Sequence, residues 1–354
     1  MNILDRYIGR HVIVGSIVAL FILVGMDLAF AFAAEAPDIG EGDYNLGKSL
    51  LYVLLTTPRR AYDFMPMATI VGSLVMLGGL AEQSEFIAMR SAGVSTRQIA
   101  GSVLKSGAVL VMIVIILGEG IKPFSEPYAQ QMRSFAQTQS TVLKSRHGIW
   151  FRAGRHFVNV SQVHPSGELH NLDIYELDDN YRLKARTLAK RAEFRDDSWI
   201  LYDITRIRLE ENELSMTSYE KTRWDVSLNQ KLLSVLSVKP EQLAVWRLVT
   251  YINYLRVNDL DTEPYEFALW GKITAPFAIL IMLFLCVPFI FGPLRSTGSG
   301  QRILIGIVLG IAYYLLSHLI GRTGQIYDFS PVLSSILPAM IFLLAGWFGW
   351  RTVR

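Results

Sequence analysis

A chain of 354 residues that is 51% hydrophobic and only 18% charged is too apolar for an ordinary soluble domain, and its mean hydropathy of +0.31 points to a membrane protein. A net charge of +3 is too small to argue for a nucleic-acid partner. The single cysteine, Cys286, lies inside an apolar run, so an intrachain disulfide is excluded whichever compartment the polar parts face.

Six apolar runs organise the chain: roughly Val12–Ala34, Phe64–Ala81, Gln98–Gly118, Ile273–Phe291, Ile303–Gly321 and Phe329–Trp350. Each has about 18–23 residues and at most one full charge. A helix rising ~1.5 Å per residue needs about 20 residues to cross ~30 Å of hydrocarbon, so each run is long enough to span. They fall three and three around a polar insert of about 150 residues.

At the N-terminus, Arg6 and Arg10 precede a run ending in Ala29–Ala34, which has the look of a cleavable signal with an A-x-A site. Its length, Asp27 near its end and the five spans that follow favour retention as a first transmembrane helix. Arg6, Arg10 and His11 before span one, Arg295 and Arg302 after span four, and Arg351 and Arg354 after span six all read as cytoplasmic. Both termini then lie inside. The first loop, with Glu35, Asp38, Glu41 and Asp43, and the insert face out, which in a bacterium means the periplasm.

In that first loop, Gly42 to Ser49 matches G-x-x-x-x-G-K-S letter for letter. A P-loop needs a strand to deliver it and a helix N-terminus to receive the phosphates. Here a transmembrane helix precedes it, and the loop faces away from cytoplasmic ATP. It reads as a chance match in a turn, so ATP, if used, is bound by another chain.

The cytoplasmic loop between spans two and three predicts a short helix. Ser84 can cap a helix starting at Glu85, Gly93 can end it at a left-handed position, and Ser95 or Thr96 can start the next one. Phe86, Ile87 and Met89 are its apolar anchors at the bilayer face. Two readings stand: a membrane-surface linker, or a docking helix for a cytoplasmic motor.

The insert reads as β. Strands are expected at Gly148–Arg152, His156–Val163, Asn171–Leu177, Arg182–Leu188, Trp199–Leu209 and Leu214–Val226, separated by turns such as 165–167, 178–180 and 196–198. Leu183, Ala185 and Thr187 are expected on one face, Lys184 and Arg186 on the other. Six or more antiparallel strands suggest a sandwich or half-open roll. The insert has no paired catalytic carboxylates and no metal-spaced cluster; His147, His156, His164 and His170 read as surface histidines. Pro240–Asn258 is an amphipathic helix, lying on the membrane or continuing span four outward. In span five, Gly306 and Gly310 form a small-xxx-small face that permits close helix approach, and His318 reads as a satisfied polar residue.

The segments Leu4–Gly9, Ser84–Gly93 and Phe289–Ser296, with Phe-Gly-Pro-Leu-Arg inside the last, resemble the lipopolysaccharide-export permease family LptF/LptG, its G branch more than its F branch. The likeness covers the whole chain. It implies a membrane α-helical bundle of six transmembrane helices, three plus three, with a periplasmic all-β jellyroll-like domain between spans three and four. The implied domains are 1–135 with a coupling helix at about 84–93, 136–238 for the β domain, and 239–354 for the connecting helix and spans four to six.

The resemblance also implies a non-enzymatic permease subunit in the inner membrane. It would pair with an LptF-like permease above two copies of an LptB-like ATPase, with an LptC-like membrane-anchored protein alongside. No catalytic residue, metal or cofactor is expected in this chain; ATP and Mg are used by the partner ATPase. The short cytoplasmic helix becomes the coupling helix, with Glu85, Phe86, Met89 and Arg90 as its ATPase-coupling residues. Arg59, Arg60, Lys122 and Arg133, basic residues at outer helix ends, become candidates for lipid A phosphates, with Phe64 and Met65 below them for acyl chains. Headgroup snorkelling is the plainer reading of those cations. The family places basic residues near the outer end of span one, where this chain has Asp27 and Glu35. Gly306 and Gly310 become candidates for the seam with the partner permease. Three other readings stay open: a permease for another lipid or lipoprotein, a secondary transporter, which would need midplane ionisable groups and broken helices, and a purely structural scaffold linking membrane to periplasm.

Overall fold

The computed structural model describes residues 3–138, 143–153, 156–163, 168–177, 182–195, 198–210, 213–224, 240–258, 260–291, 298–327 and 329–352. They form two compact units: Met1–Pro37, Ser49–Ala129 and Glu263–Arg354 in one, Asp38–Lys48 and Gln130–Thr262 in the other.

The first unit is the helical bundle. Its elements are α1 (Ile3–Glu35), α2 (Leu46–Glu82), α3 (Glu85–Ser91), α4 (Thr96–Ile115), a π-helical turn (Ile116–Ile121) and α5 (Lys122–Thr138), then, beyond α6 (Val245–Val257), α7 (Glu263–Phe291), α8 (Ser299–Ile326) and α9 (Pro331–Thr352). Among the described residues six helical segments are long and apolar enough to cross a membrane, three before the insert and three after. Its main hydrophobic cluster buries Ile8, Val12, Met65, Ile70, Leu74, Ile99, Leu110, Ile279, Met282 and Cys286 together, with polar side chains such as Asp5, Ser102 and Arg302 also buried.

Small residues decide how closely the helices approach. A β-carbon at Gly15 would stand 2.6 Å from the Gly72 carbonyl oxygen, so α1 and α2 meet backbone to backbone. Several helices run further than the apolar runs suggest, α2 and span three the furthest. α2 begins at Leu46, well outside Phe64, because Arg59 and Arg60 are paired within the bundle and so do not end the helix. Span three continues through the π turn into α5. Within this turn Lys272 Nζ donates to the Gly118 carbonyl oxygen at 3.2 Å. Gly118 is also where the Tyr62 ring packs against the helix, leaving no room for a β-carbon, which would meet Tyr62 Cε2.

In the insert, β1 (Leu143–Ala153), β2 (His156–Val163), β3 (Leu169–Leu177), β4 (Leu183–Arg195), β5 (Ser198–Glu210) and β6 (Glu213–Trp224) form one antiparallel sheet in sequential order. All six expected strands are present, several longer than expected. The expected turns at 165–167, 178–180 and 196–197 lie outside the described residues.

The alternation expected over Leu183–Thr187 does not extend along the rest of β4. Ala185 and Ala189 are buried, but so is Ala192, on the opposite parity; Leu183 is 36% exposed. β3 changes parity between Leu169 and Leu172, and β5 between Leu201 and Ile204. The reason is a crease. Pairing skips Asn171, Lys190 and Asp203, which stand opposite one another in neighbouring strands. Asn171 and Asp203 take left-handed φ values of 54° and 51°. A left-handed residue in a strand turns the following side chains to the other face and bends the sheet. Both sides of the crease therefore serve one core, with Val158, Val160, Ile174 and Trp199 among its members.

α6 buries Leu248, Tyr251, Ile252 and Leu255 and leaves Trp246 and Val249 exposed. It ends at Val257 and α7 starts at Glu263, so the two are separate helices.

Candidate functional site

Polar contacts gather at the two ends of the bundle. One end carries α3. This helix has seven residues, and both exits from it are left-handed: Ser84 at φ 60° and Gly93 at φ 92°. Ser84 makes no side-chain cap, contrary to the expectation; its carbonyl accepts from Ile87 and Ala88 instead. Gly93 ends the helix as expected, with the Val94 amide reaching back to the Met89 carbonyl at 3.0 Å. Ser95 then starts α4 through a capping box with Gln98.

The four expected coupling residues divide by role. Phe86 is only 4% exposed and tilts against the Phe291 ring at 5.3 Å, so it anchors α3 to the end of α7. Met89 packs on the same core. Glu85 is half-buried and accepts from the Tyr7 hydroxyl at 2.8 Å. Arg90 is exposed, as are Ile87 and Ala88. α3 thus presents an outward face while its inner face is fixed. Just before it, Glu82 accepts from Arg302 Nη1 at 3.1 Å.

At the opposite end, each expected lipid A cation has a carboxylate partner. Arg59 pairs with Glu126 at 3.3 Å, Arg60 with Asp27, and Lys122 with Asp63 at 3.9 Å, above the Tyr62 ring. Lys272 pairs with Glu119 at 2.8 Å. In the other unit, Arg133 pairs with Asp38. Asp27, the acidic residue near the outer end of span one, is therefore Arg60's partner. Phe64 is half-buried, while Met65 is wholly buried inside the bundle and closed to a lipid chain in this structure.

Two other expected features are also used within the chain. The β-carbon that Gly306 lacks would stand 2.9 Å from Val71 Cα, and that of Gly310 would meet Met67. The small face of span five is thus occupied by α2 of the same chain. The P-loop-like stretch is a helix cap: Asn45 Oδ1 accepts from the Lys48 amide at 3.0 Å, and Lys48 Nζ pairs with Asp43. Ser49, which in a P-loop would face Mg, is wholly buried.

Sequence reasoning missed Tyr7, Arg302, Lys272 and the acidic partners Asp63, Glu119 and Glu126. The charges of all but Tyr7, at or near span ends, were visible. The pairings join residues up to 220 positions apart, and no local pattern reports those.

Six spans, a β insert and a short braced helix at one bundle end define a polytopic membrane permease subunit. A model of the family described as "Lipopolysaccharide export system permease LptF/LptG" matches residues 6–352, and the chain belongs to that family. It is similar to the "Lipopolysaccharide export system permease protein LptG" of Haemophilus influenzae (strain ATCC 51907 / DSM 11121 / KW20 / Rd), 31% identical over 98% of both chains. The protein of the same name from Escherichia coli (strain K12) is 31% identical over 98% of this chain and 97% of its own. The chain is accordingly a permease subunit for lipopolysaccharide export, resembling the LptG branch.

Proposed function

We propose that this subunit, in the bacterial inner membrane, extracts lipopolysaccharide from the outer leaflet and passes it to a periplasmic bridge, driven by an ATPase on a separate chain. The observation that carries the reading is α3: its inner face is fixed to the bundle, its outer face is open, and the chain's one P-loop-like stretch is an ion-paired helix cap. Both termini are then cytoplasmic and the insert periplasmic. The partners are two copies of an LptB-like ATPase at α3, an LptF-like permease and an LptC-like protein.

Because Gly306 and Gly310 are used within the chain, we assign the permease seam to the other face of α8, where Leu304, Val308, Ile311 and Leu315 are exposed. Of the six spans this one buries least within its own chain, which supports a partner covering it. At the outer end, lipid A phosphates would have to exchange with the carboxylates now holding Arg59, Arg60, Lys122 and Arg133, while Phe64 meets acyl chains. Guanidinium forks suit phosphate well enough to make that exchange reasonable.

The test is purification of the full complex with its ATPase. Glu85→Arg is expected to release the ATPase, since reversing a charge at a docking contact leaves a partner unpaired. An undiminished ATPase content in that variant would remove the reading of α3.

A further inference from the structure

We infer that Tyr7 and Arg302 are positioning residues that hold α3 and the end of α2 from which it starts: Tyr7 ties α3 to the first span and Arg302 ties Glu82, the last residue of α2, to the fifth, so that a displacement of α3 together with that junction moves both. The inference rests on the reading of α3 as the ATPase docking point.

A helix of seven residues does not hold its place by its own hydrogen bonds. Both of its ends leave through left-handed residues, so its direction must be set by tertiary contacts. Two such contacts reach α3, and a third holds Glu82, the last residue of α2, with two residues between it and α3. Phe86 against Phe291 in α7 is apolar and without directional preference. The other two are polar and directional. Tyr7 in α1 donates to Glu85 at 2.8 Å, and Arg302 in α8 donates to Glu82 at 3.1 Å.

Arg302 is an unusual residue to find there. It is 1% exposed, whereas Glu82 is an exposed partner, with 61% of its side chain open. A buried guanidinium is costly unless it is paired. The chain also makes room for it: a β-carbon at Gly78 would stand 2.5 Å from Arg302 Cδ and 2.6 Å from Nε, so the side chain crosses α2 over a glycine. A lysine or arginine serving only to orient the helix in the membrane needs neither burial nor a cleared path.

The two tied helices are also the ones with reach. α1 has 33 residues and α8 has 28, or roughly 50 and 42 Å at the helical rise. A tilt imposed at the α3 end is therefore carried to the opposite end, where Asp27 of α1 holds Arg60. Meanwhile Ile87, Ala88 and Arg90 stay exposed for docking, while half-buried Glu85 takes part in both anchoring and docking.

The test uses the complete complex with its ATPase in lipid nanodiscs or proteoliposomes, reading ATPase content, ATP turnover and lipopolysaccharide delivered per ATP. Tyr7→Phe removes only a hydroxyl, and Glu82→Gln alters the pair at its exposed member, so neither threatens the fold. The double variant is expected to keep its ATPase and its turnover while delivery per ATP falls about ten-fold or more, the order set by losing a hydrogen bond to a charged group. Arg302→Lys, which keeps the charge, should restore part of what Arg302→Gln loses. Unchanged delivery per ATP would overturn the inference. So would loss of the ATPase from the double variant, which would make these contacts part of docking. If Glu85→Arg kept a fully coupled ATPase, the docking reading itself would fall, and this inference with it.

Discussion

Asp27 offers a way to ask whether the outer cations serve the cargo. Arg60 and Asp27 are paired, with 15% and 30% of their side chains exposed, so the pair lies between two regimes. Exposed pairs contribute about 0–1 kcal/mol. Breaking a buried pair costs about 3–5 kcal/mol. An intermediate ~1–2 kcal/mol is the cost a phosphate must overcome to take Arg60 from Asp27, equivalent to a factor of about 5–30 in binding. Asp27→Asn removes that competitor without removing the cation. Lipopolysaccharide capture should then rise several-fold, while Arg60→Gln should lower it. The assay is photocrosslinking of lipopolysaccharide to the purified complex, with ATPase content as the assembly control. If both substitutions lowered capture in parallel with thermal stability, the pair would be a brace, and phosphate recognition by Arg60 would be refuted.

Three further outcomes are expected. Lys48→Ala should leave ATP hydrolysis by the complex nearly intact, because Lys48 only pairs with Asp43; a complex that no longer hydrolyses ATP would contradict this. Gly72→Val should lower the melting temperature and yield of the complex, since any side chain there drives α1 from α2, and overpacking costs about 1–3 kcal/mol even where neighbours can move; an unchanged melting curve would contradict the backbone-to-backbone crossing. In a Cys286→Ala background, Met216→Cys in the insert should react with an impermeant thiol reagent from the periplasmic side and Ser299→Cys should not, both positions being exposed; the reverse labelling would invert the topology.

What could be read from sequence was whatever depends on local pattern. Six apolar runs gave the spans, Gly93 and Ser95 gave the end of α3 and the start of α4, and β-forming runs gave the strands. The failures have physical causes. Arg59 and Arg60 looked like the outer end of span two, yet the helix runs on because distant carboxylates neutralise them. Alternation along β4 breaks at a crease created in neighbouring strands by Asn171 and Asp203. A small-xxx-small motif states that something packs closely but not what. Here Gly306 and Gly310 meet Val71 and Met67 of their own chain. Phe86 looked like a surface anchor and is a buried one, because Phe291, about 200 residues away, covers it.

The central claim is that a motor on another chain acts through α3 to move lipopolysaccharide. The most direct measurement is transfer of lipopolysaccharide from proteoliposomes containing the full complex to a soluble periplasmic acceptor, followed over time with and without ATP. Transfer should require ATP in the parent complex and be lost in Glu85→Arg although lipopolysaccharide still crosslinks to the bundle. Transfer that proceeds equally without ATP, or that survives in Glu85→Arg, would contradict it.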